Sequence, residues 1–331
     1  MVELDAIGPV PLVGMRLREF GARVTRIVPP AERVLDIGLE EHVDLLNLGK
    51  NRRALDLKSE AGRAALNAEL AMSDVLLEGF RPGVLERLDL APDTLRVRHP
   101  RLVLGRLSGF GRTGPLAPRA GHDINYLALS GALDAIGPPE RPSVPLNLVA
   151  DFGGGAMHLL AGVLAALVRR GIDGRGGVVD TSILAGTLGL TPMLHSLLAA
   201  GQGTTARESN LLDGGRPFYR VYATADARFV AVGALEPRFF ANLLALTGLT
   251  DEIDPVRQHD PQAWPAMSDA FARVFARRTR DDWAEAAATV DCCVSPVLDA
   301  HEALTHAQNL ANGSIADDPF SHPANPLSFD A

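Results

Sequence analysis

Two stretches of this chain set proton-carrying side chains beside flexible backbone. GHDINYLALSGALDAIG, starting at Gly121, puts His122 and Asp123 at the head of an apolar periodic run. PLNLVADFGGGAMHLLAGVLAALVRR puts Asp151 just before Gly153, Gly154 and Gly155, ahead of a second apolar run ending at Arg170. An acid and flexible amides at a helix start suit chemistry on a carbonyl. The amides and the helix dipole hold a developing oxyanion while the acid moves a proton. His122 supplies a second proton carrier. The plainer reading is structural: Asp is a favoured N-cap, and a His-Asp pair at a helix start is usually a satisfied surface pair. Spacing alone does not bring His122 and Asp151 together.

The elements that must position these groups alternate. Residues 1–4 read as a short strand, 10–20 as a helix and 23–28 as a strand. Further short apolar runs at 54–57, 74–77 and 101–108 are separated by helical stretches. The block 121–170 adds two helices, and 178–181 reads as another strand. Such alternation implies a parallel sheet with crossover helices, an α/β fold. Gly, Thr, Asn and Asp gather at 200–216, which reads as a linker. A second module follows, with strands at 219–223 and 229–233 and helices at 238–247 and 264–289. From about Ala311 the composition turns to Pro, Asn, Asp and Ser, as in a surface segment.

The 331 residues suffice for a large core or two domains, and 47% hydrophobic with 22% charged residues marks a globular chain. A net charge of −8 argues against a nucleic-acid partner. Adjacent cysteines at 292 and 293 make no disulfide framework and fit a reducing cytoplasm. Glu3 and Asp5 stand where a signal peptide would need basic and apolar residues. Residues 182–201 lack Lys, Arg, Asp and Glu, but Pro192 and His195 make a poor membrane span. They read as a buried helix pair, and no membrane is expected.

GFGRTG (109–114) matches the dinucleotide-binding spacing after a strand, yet Pro115 and Pro118 stand where the helix should open. It reads instead as a turn lining a pocket. No clustered metal ligands and no nucleophile elbow are present. Arg26, Lys58 and Arg81 fall at or just after expected strand C-termini, the edge where open parallel sheets bind ligands. Guanidinium groups suit phosphates.

The run GHDINYLALSG followed by PLNLVADFGGG resembles the α-methylacyl-CoA racemases within the class III CoA-transferase (CaiB/BaiF) family. The likeness extends through NRRALDLKS (51–59), SDVLLEGFRPGVLERL (73–88), RLVLGRLSGFGRTGP (101–115), NLLDGGRPFYRVYATADARFVAVGALEP (210–237) and DCCVSPVL (291–298). It implies a large Rossmann-like α/β domain over 1–185, a linker over 186–212 and a smaller α+β domain over 213–300. A C-terminal segment over 301–331 follows, with the family's return to the large domain cut short. It also implies an interlocked homodimer, an acyl-CoA substrate and no cofactor, since CoA enters with the substrate. His122 and Asp151 carry over as the acid/base pair, Glu236 as the residue holding His122, and Asp123, Tyr126 and Asn147 as pocket residues. Arg26, Arg81, Arg87 and Lys58 carry over to the CoA phosphates.

The implied reaction is epimerisation of a 2-methylacyl-CoA through an enolate, stabilised by the Gly153–Gly155 amides, with two proton carriers on opposite faces. The alternative within the family is CoA transfer, with Asp151 as nucleophile through an acyl anhydride. A third reading is an inactive CoA-binding protein. The GHDINY form resembles the racemases, because a transferase needs no second proton carrier there. Arg112 and Arg216 depart from the family's usual residues, and both are expected to alter acyl preference.

Overall fold

The computed structural model describes residues 1–31 and 39–328. The chain divides into two compact units. The first holds Met1–Leu133, Val144–Pro192 and the segment from Ser314 onward; the second holds Asp134–Ser143 and Met193–Gly313.

The first unit is built on six strands: β1 (Val2–Leu4), β2 (Thr25–Val28), β3 (Asn51–Ala54), β4 (Val75–Glu78), β5 (Val103–Ser108) and β6 (Gly177–Ser182). All five pairings are parallel, in the order β3-β2-β1-β4-β5-β6. This order winds outward in both directions from the β1/β4 junction, where an open α/β sheet offers its crevice. β4 and β5 are buried at every position, as central strands covered on both faces must be. The chain leaves β1 through Gly8, whose φ of 80° favours glycine, and enters α1 (Pro9–Glu19) with proline in the first turn.

The third strand departs from expectation. The apolar run at 54–57 is not the strand; the polar tetrapeptide Asn51–Ala54 is, and all four residues are exposed. β3 is an edge strand bonded only to β2, so backbone pairing and not side-chain burial forms it.

A π-helix, Leu148–Ala156, runs into α6 (Met157–Asp173). Together they make a helix long and apolar enough to cross a membrane by length and composition. It lies against α1, β5 and β6, as a core helix does. The other apolar run, 182–201, is broken into α7 (Ile183–Leu188) and α8 (Pro192–Ala199). α7 packs on the π-helix, but α8 buries none of its residues, so the expected buried pair is half corrected.

The second unit carries an antiparallel sheet of β7 (Tyr219–Ala223), β8 (Phe229–Gly233) and β9 (Val294–Pro296). Phe218, Phe240, Phe271, Phe275 and Trp283 fill its core. The helix expected over 264–289 is two, α10 (Trp264–Phe275) and α11 (Arg280–Ala287). Thr279 starts the second: its hydroxyl accepts from the Asp282 amide at 3.1 Å, and Asp282 accepts from the Thr279 amide at 3.2 Å.

The unit boundaries also differ from the expected ones. Residues 193–212 cluster with the second unit instead of forming a free linker, and 134–143 join it. Arg207 binds this loop, donating to Asp134 Oδ1 at 2.7 Å, the Pro138 carbonyl at 2.9 Å and the Pro139 carbonyl at 2.9 Å. The segment from Ser314 belongs to the first unit, with β10 (Ile315–Ala316) pairing β11 (His322–Pro323). Residues 32–38 of the expected large domain and 329–331 of the expected C-terminal segment lie outside the described residues.

Candidate active site

His122 and Asp151 are carried by two helix starts in the first unit. His122 is the exposed N-cap of α5 (Asp123–Leu129) and its amide donates to Asn125 Oδ1 at 3.0 Å. Asp151 lies in the first turn of the π-helix. Asp123 joins the two elements: its Oδ1 accepts from the Asp151 amide at 2.7 Å, and it also accepts from the Ala150 amide. One residue and one hydrogen bond therefore link His122 to Asp151.

This contact corrects the expected oxyanion site. The helix begins at Leu148, so Gly153, Gly154 and Gly155 lie inside it and not at its mouth. Amides inside a π-helix are spent on carbonyls five residues back; Phe152, bonded to the Asn147 carbonyl at 3.2 Å, shows the pattern. The open amides at the start are those of Ala150 and Asp151, and Asp123 caps them. The glycines serve packing. A Cβ on Gly154 would come within 2.6 Å of Thr187 in α7, and one on Gly153 within 3.4 Å of Leu190.

The electrostatics of the two acids follow from this geometry. Burial, then the charge of Asp123, pushes the Asp151 carboxyl up to about 7. Burial also raises Asp123, against the two amide bonds that favour its charged form. Asp123 Oδ2 is buried without a partner among the described residues. Two acids sharing a half-buried site without a cation at hydrogen-bond distance is the arrangement that brings a carboxyl into the neutral range.

Tyr126 is buried, and its hydroxyl donates to the Gly121 carbonyl at 2.5 Å. Burial, then the charge of Asp151, raises its phenol, which places it near that acid. Arg81 acts on the same phenol in the opposite sense. Asn147 is the N-cap of the π-helix, preceded by Leu146 at a φ of 57°. Gly8 is a residue that sequence reading passed over. A Cβ there would lie 3.2 Å from Asp151 Oδ2, so the turn after β1 leaves room for the acid. The glycine-proline step after the first strand was its signal.

The basic residues divide. Arg26 donates from Nε and Nη2 to Asp5 Oδ1, at 2.8 and 2.5 Å. It lines a cavity of about 280 Å³ with Asp5, Gly8, Lys50 and Arg52. Arg52, exposed on β3, was not singled out from sequence; its signal was a basic pair inside a polar strand. Lys58, Arg81 and Arg87 are exposed. Arg81 follows β4 and Arg87 closes α3 (Val84–Arg87).

The two unusual arginines are both engaged by other side chains. Arg112 is bonded to Glu78 and Asp180. Arg216, in the second unit, stacks 3.7 Å over the Trp264 ring. The GFGRTG loop opens no helix; the next one starts at Asp123. Glu236 also belongs to the second unit, as the exposed N-cap of α9 (Pro237–Thr247).

Comparison with known proteins agrees with this architecture. The chain is 45% identical to a mouse (Mus musculus) protein named alpha-methylacyl-CoA racemase, over 99% of this chain and 85% of that one. It is 43% identical to the human (Homo sapiens) protein of the same name, over 95% and 81%. A crystal structure of a CaiB/BaiF family protein from Brucella suis superposes with a TM-score of 0.82 at 23% identity, covering 99% of this chain and 90% of that one. The family model described as CoA-transferase family III matches residues 1–330, and the chain belongs to that family.

Proposed function

We propose that this enzyme is a racemase that interconverts (2R)- and (2S)-2-methylacyl-CoA thioesters by moving the α-proton. The observation that carries the mechanism is Asp151, whose carboxyl is pushed up to about 7 and whose backbone amide donates to Asp123, the neighbour of His122. A thioester α-proton is weakly acidic, so the base that takes it and the acid that returns it must both sit near the working pH. His122 and Asp151 share one proton between them. Neutral imidazole with the protonated acid serves one epimer; imidazolium with the carboxylate serves the other.

The enolate oxygen needs donors, and the glycine triplet does not offer them. The first turn of α5 does, through the amides of Asp123 and Ile124 beside His122, since the Asn125 amide is bonded to the His122 carbonyl at 2.8 Å. The family resemblance alone assigns Glu236 the holding of the imidazole. Arg81, Arg87, Lys58 and Arg26 hold the CoA phosphates, and Arg52, paired in register with Arg26 inside the strands, joins them. CoA comes with the substrate, and the proton transfer calls for no further cofactor. We take the working form to be a cytoplasmic homodimer, a setting supported by the free thiols of Cys292 and Cys293.

The test is incorporation of solvent deuterium. A single epimer of a 2-methylacyl-CoA in heavy water should gain deuterium at the α-carbon and yield both epimers with no acceptor acid. CoA exchange that depends on an acceptor carboxylate, with the α-proton retained, would instead make Asp151 a nucleophile and the protein a transferase.

A further inference from the structure

A cluster of charges centred on buried Glu78 and Arg106 lies toward the C-terminal ends of β4, β5 and β6, and the proton transfer uses none of them. Glu78, the last residue of β4, is fully buried. Its Oε1 accepts from Arg106 Nε at 2.7 Å and from Arg112 Nη2 at 2.7 Å, and its Oε2 accepts from the Phe80 amide at 2.7 Å. Arg106 Nη2 donates to Glu86 Oε1 at 2.9 Å. Arg112 Nε donates to Asp180 Oδ2 on β6 at 2.8 Å. Arg112 thus ties β4 to β6 across the end of β5. Taking such charges out of water costs several kcal/mol per ion, and apolar side chains of like volume usually stabilise as well or better. The sheet itself gains little from this arrangement, so its value lies in what it holds.

It holds the loop 109–121, which has neither helix nor strand. The two ends of that loop enclose Tyr126. A Cβ on Gly109 would overlap the Tyr126 ring, and one on Gly121 would come within 2.8 Å of Phe110 and 2.9 Å of Tyr126. Phe110 meets the Tyr126 ring edge-on at 4.8 Å. The Tyr126 hydroxyl closes the loop on the Gly121 carbonyl, and the next residue is His122.

We propose that Arg112 is a positioning residue for the proton transfer. By tying the loop to Glu78 and Asp180 it sets the Gly121 carbonyl and, through it, the imidazole of His122. Arg112 touches no reacting atom. An irregular loop without such a tether keeps backbone freedom at about 1–2 kcal/mol per residue. A misplacement of about 1 Å at a reacting group is enough to cost up to 10²-fold in rate. The inference rests on the racemase reading of His122.

The test compares Arg112→Gln, Asp180→Asn and the double variant, each normalised to folded protein by circular dichroism. Two readouts are taken: kcat and KM for α-deuteration of a 2-methylacyl-CoA, and amide hydrogen exchange of residues 109–126. Arg112→Gln should lower kcat about 10-fold with KM changed by less than about 2-fold, and should speed exchange through the loop. Asp180→Asn should do the same more weakly, because Glu78 still holds Arg112. The double variant should be no worse than Arg112→Gln alone, since Arg112→Gln already removes the contact that Asp180→Asn removes. Unchanged kcat, a loss confined to KM, or unchanged loop exchange would each overturn the proposal. Should Arg112→Gln not fold, the milder Asp180→Asn variant decides by the same readouts. Wild-type enzyme without α-deuteration would sink the racemase reading instead, and the loop exchange would still decide whether the clamp exists.

Discussion

Two groups of acids stand at the C-terminal edge of the same parallel sheet and meet opposite fates. Glu78, Glu86 and Asp180 share Arg106 and Arg112; Asp123 accepts only the backbone amides of Ala150 and Asp151, and its charge faces the Asp151 carboxyl. In the first group, burial acts to raise Glu86, but its backbone bond and the Arg106 guanidinium outweigh it and hold the carboxyl low. In the second, burial wins and Asp151 rises to about 7. Glu86 is exposed and paired with Arg106, whereas Asp151 is half-buried with no cation at hydrogen-bond distance among the described residues, so depth and pairing act in the same direction. One cluster is a fixed brace, and the other can gain and lose a proton near neutrality.

The sharpest way to break this contrast is to remove the titrating groups. Asp151→Asn and His122→Ala should each lower α-deuteration by at least about 10²-fold, the scale of a lost acid or base. Acyl-CoA binding, measured by calorimetry, should change little. Near-normal turnover in either variant would take that residue out of the mechanism.

Next comes the neighbour. Asp123→Asn keeps an oxygen for the Asp151 amide but removes the charge that helps raise Asp151. The acid limb of the pH-rate profile should move to lower pH, and the loss of rate should stay below that of Asp151→Asn. A limb that does not move would mean that burial alone sets Asp151.

The phosphate contacts should be smaller and separable. Arg81→Ala and Arg87→Ala should each weaken acyl-CoA binding about 10-fold, near 1.4 kcal/mol. A thioester lacking the nucleotide should be bound as before. Arg26→Ala should cost less binding, because Arg26 is already paired with Asp5. Equal losses for both ligands would assign a residue to structure.

The last effect is on stability. The folded carboxyl of Asp151 titrates at about 7 against 3.8 for the ordinary group, so the native state binds the extra proton between those values. Stability from this group is therefore lost as pH rises toward 7. Asp151→Asn, which does not titrate, should be more stable than wild type at pH 8 by about 1–3 kcal/mol, allowing for partial exposure. At pH 4 the difference should vanish in urea melts; a difference that grows toward acid pH would reverse the sign.

The comparison also separates what the sequence discloses from what it hides. Val75–Glu78 and Val103–Ser108 are buried on both faces, and short apolar runs announce such strands. Asn51–Ala54 is polar and exposed, held by pairing alone, and no apolar pattern marks it. GHDINY and ADFGGG mark His122 and Asp151 as candidates, and Asp123 joins the two elements that carry them. The π-helix was not legible, because its wider turn depends on contacts with Thr187 and Gly186 more than thirty residues on. That register moved the glycines into the helix and gave its open amides to Asp123. The partners of Arg112, Glu78 and Asp180, lie 34 and 68 positions away, beyond any local motif.

The central claim is that burial, aided by the charge of Asp123, lets Asp151 exchange its proton near neutral pH, with no cation at hydrogen-bond distance among the described residues. Carbon-13 NMR of aspartate-labelled enzyme, with Asp151 assigned from the spectrum of Asp151→Asn, reads that directly. The account predicts a Asp151 carboxyl titrating at about 7, and at lower pH in Asp123→Asn. A midpoint in the ordinary range of about 4, unmoved by Asp123→Asn, would contradict it.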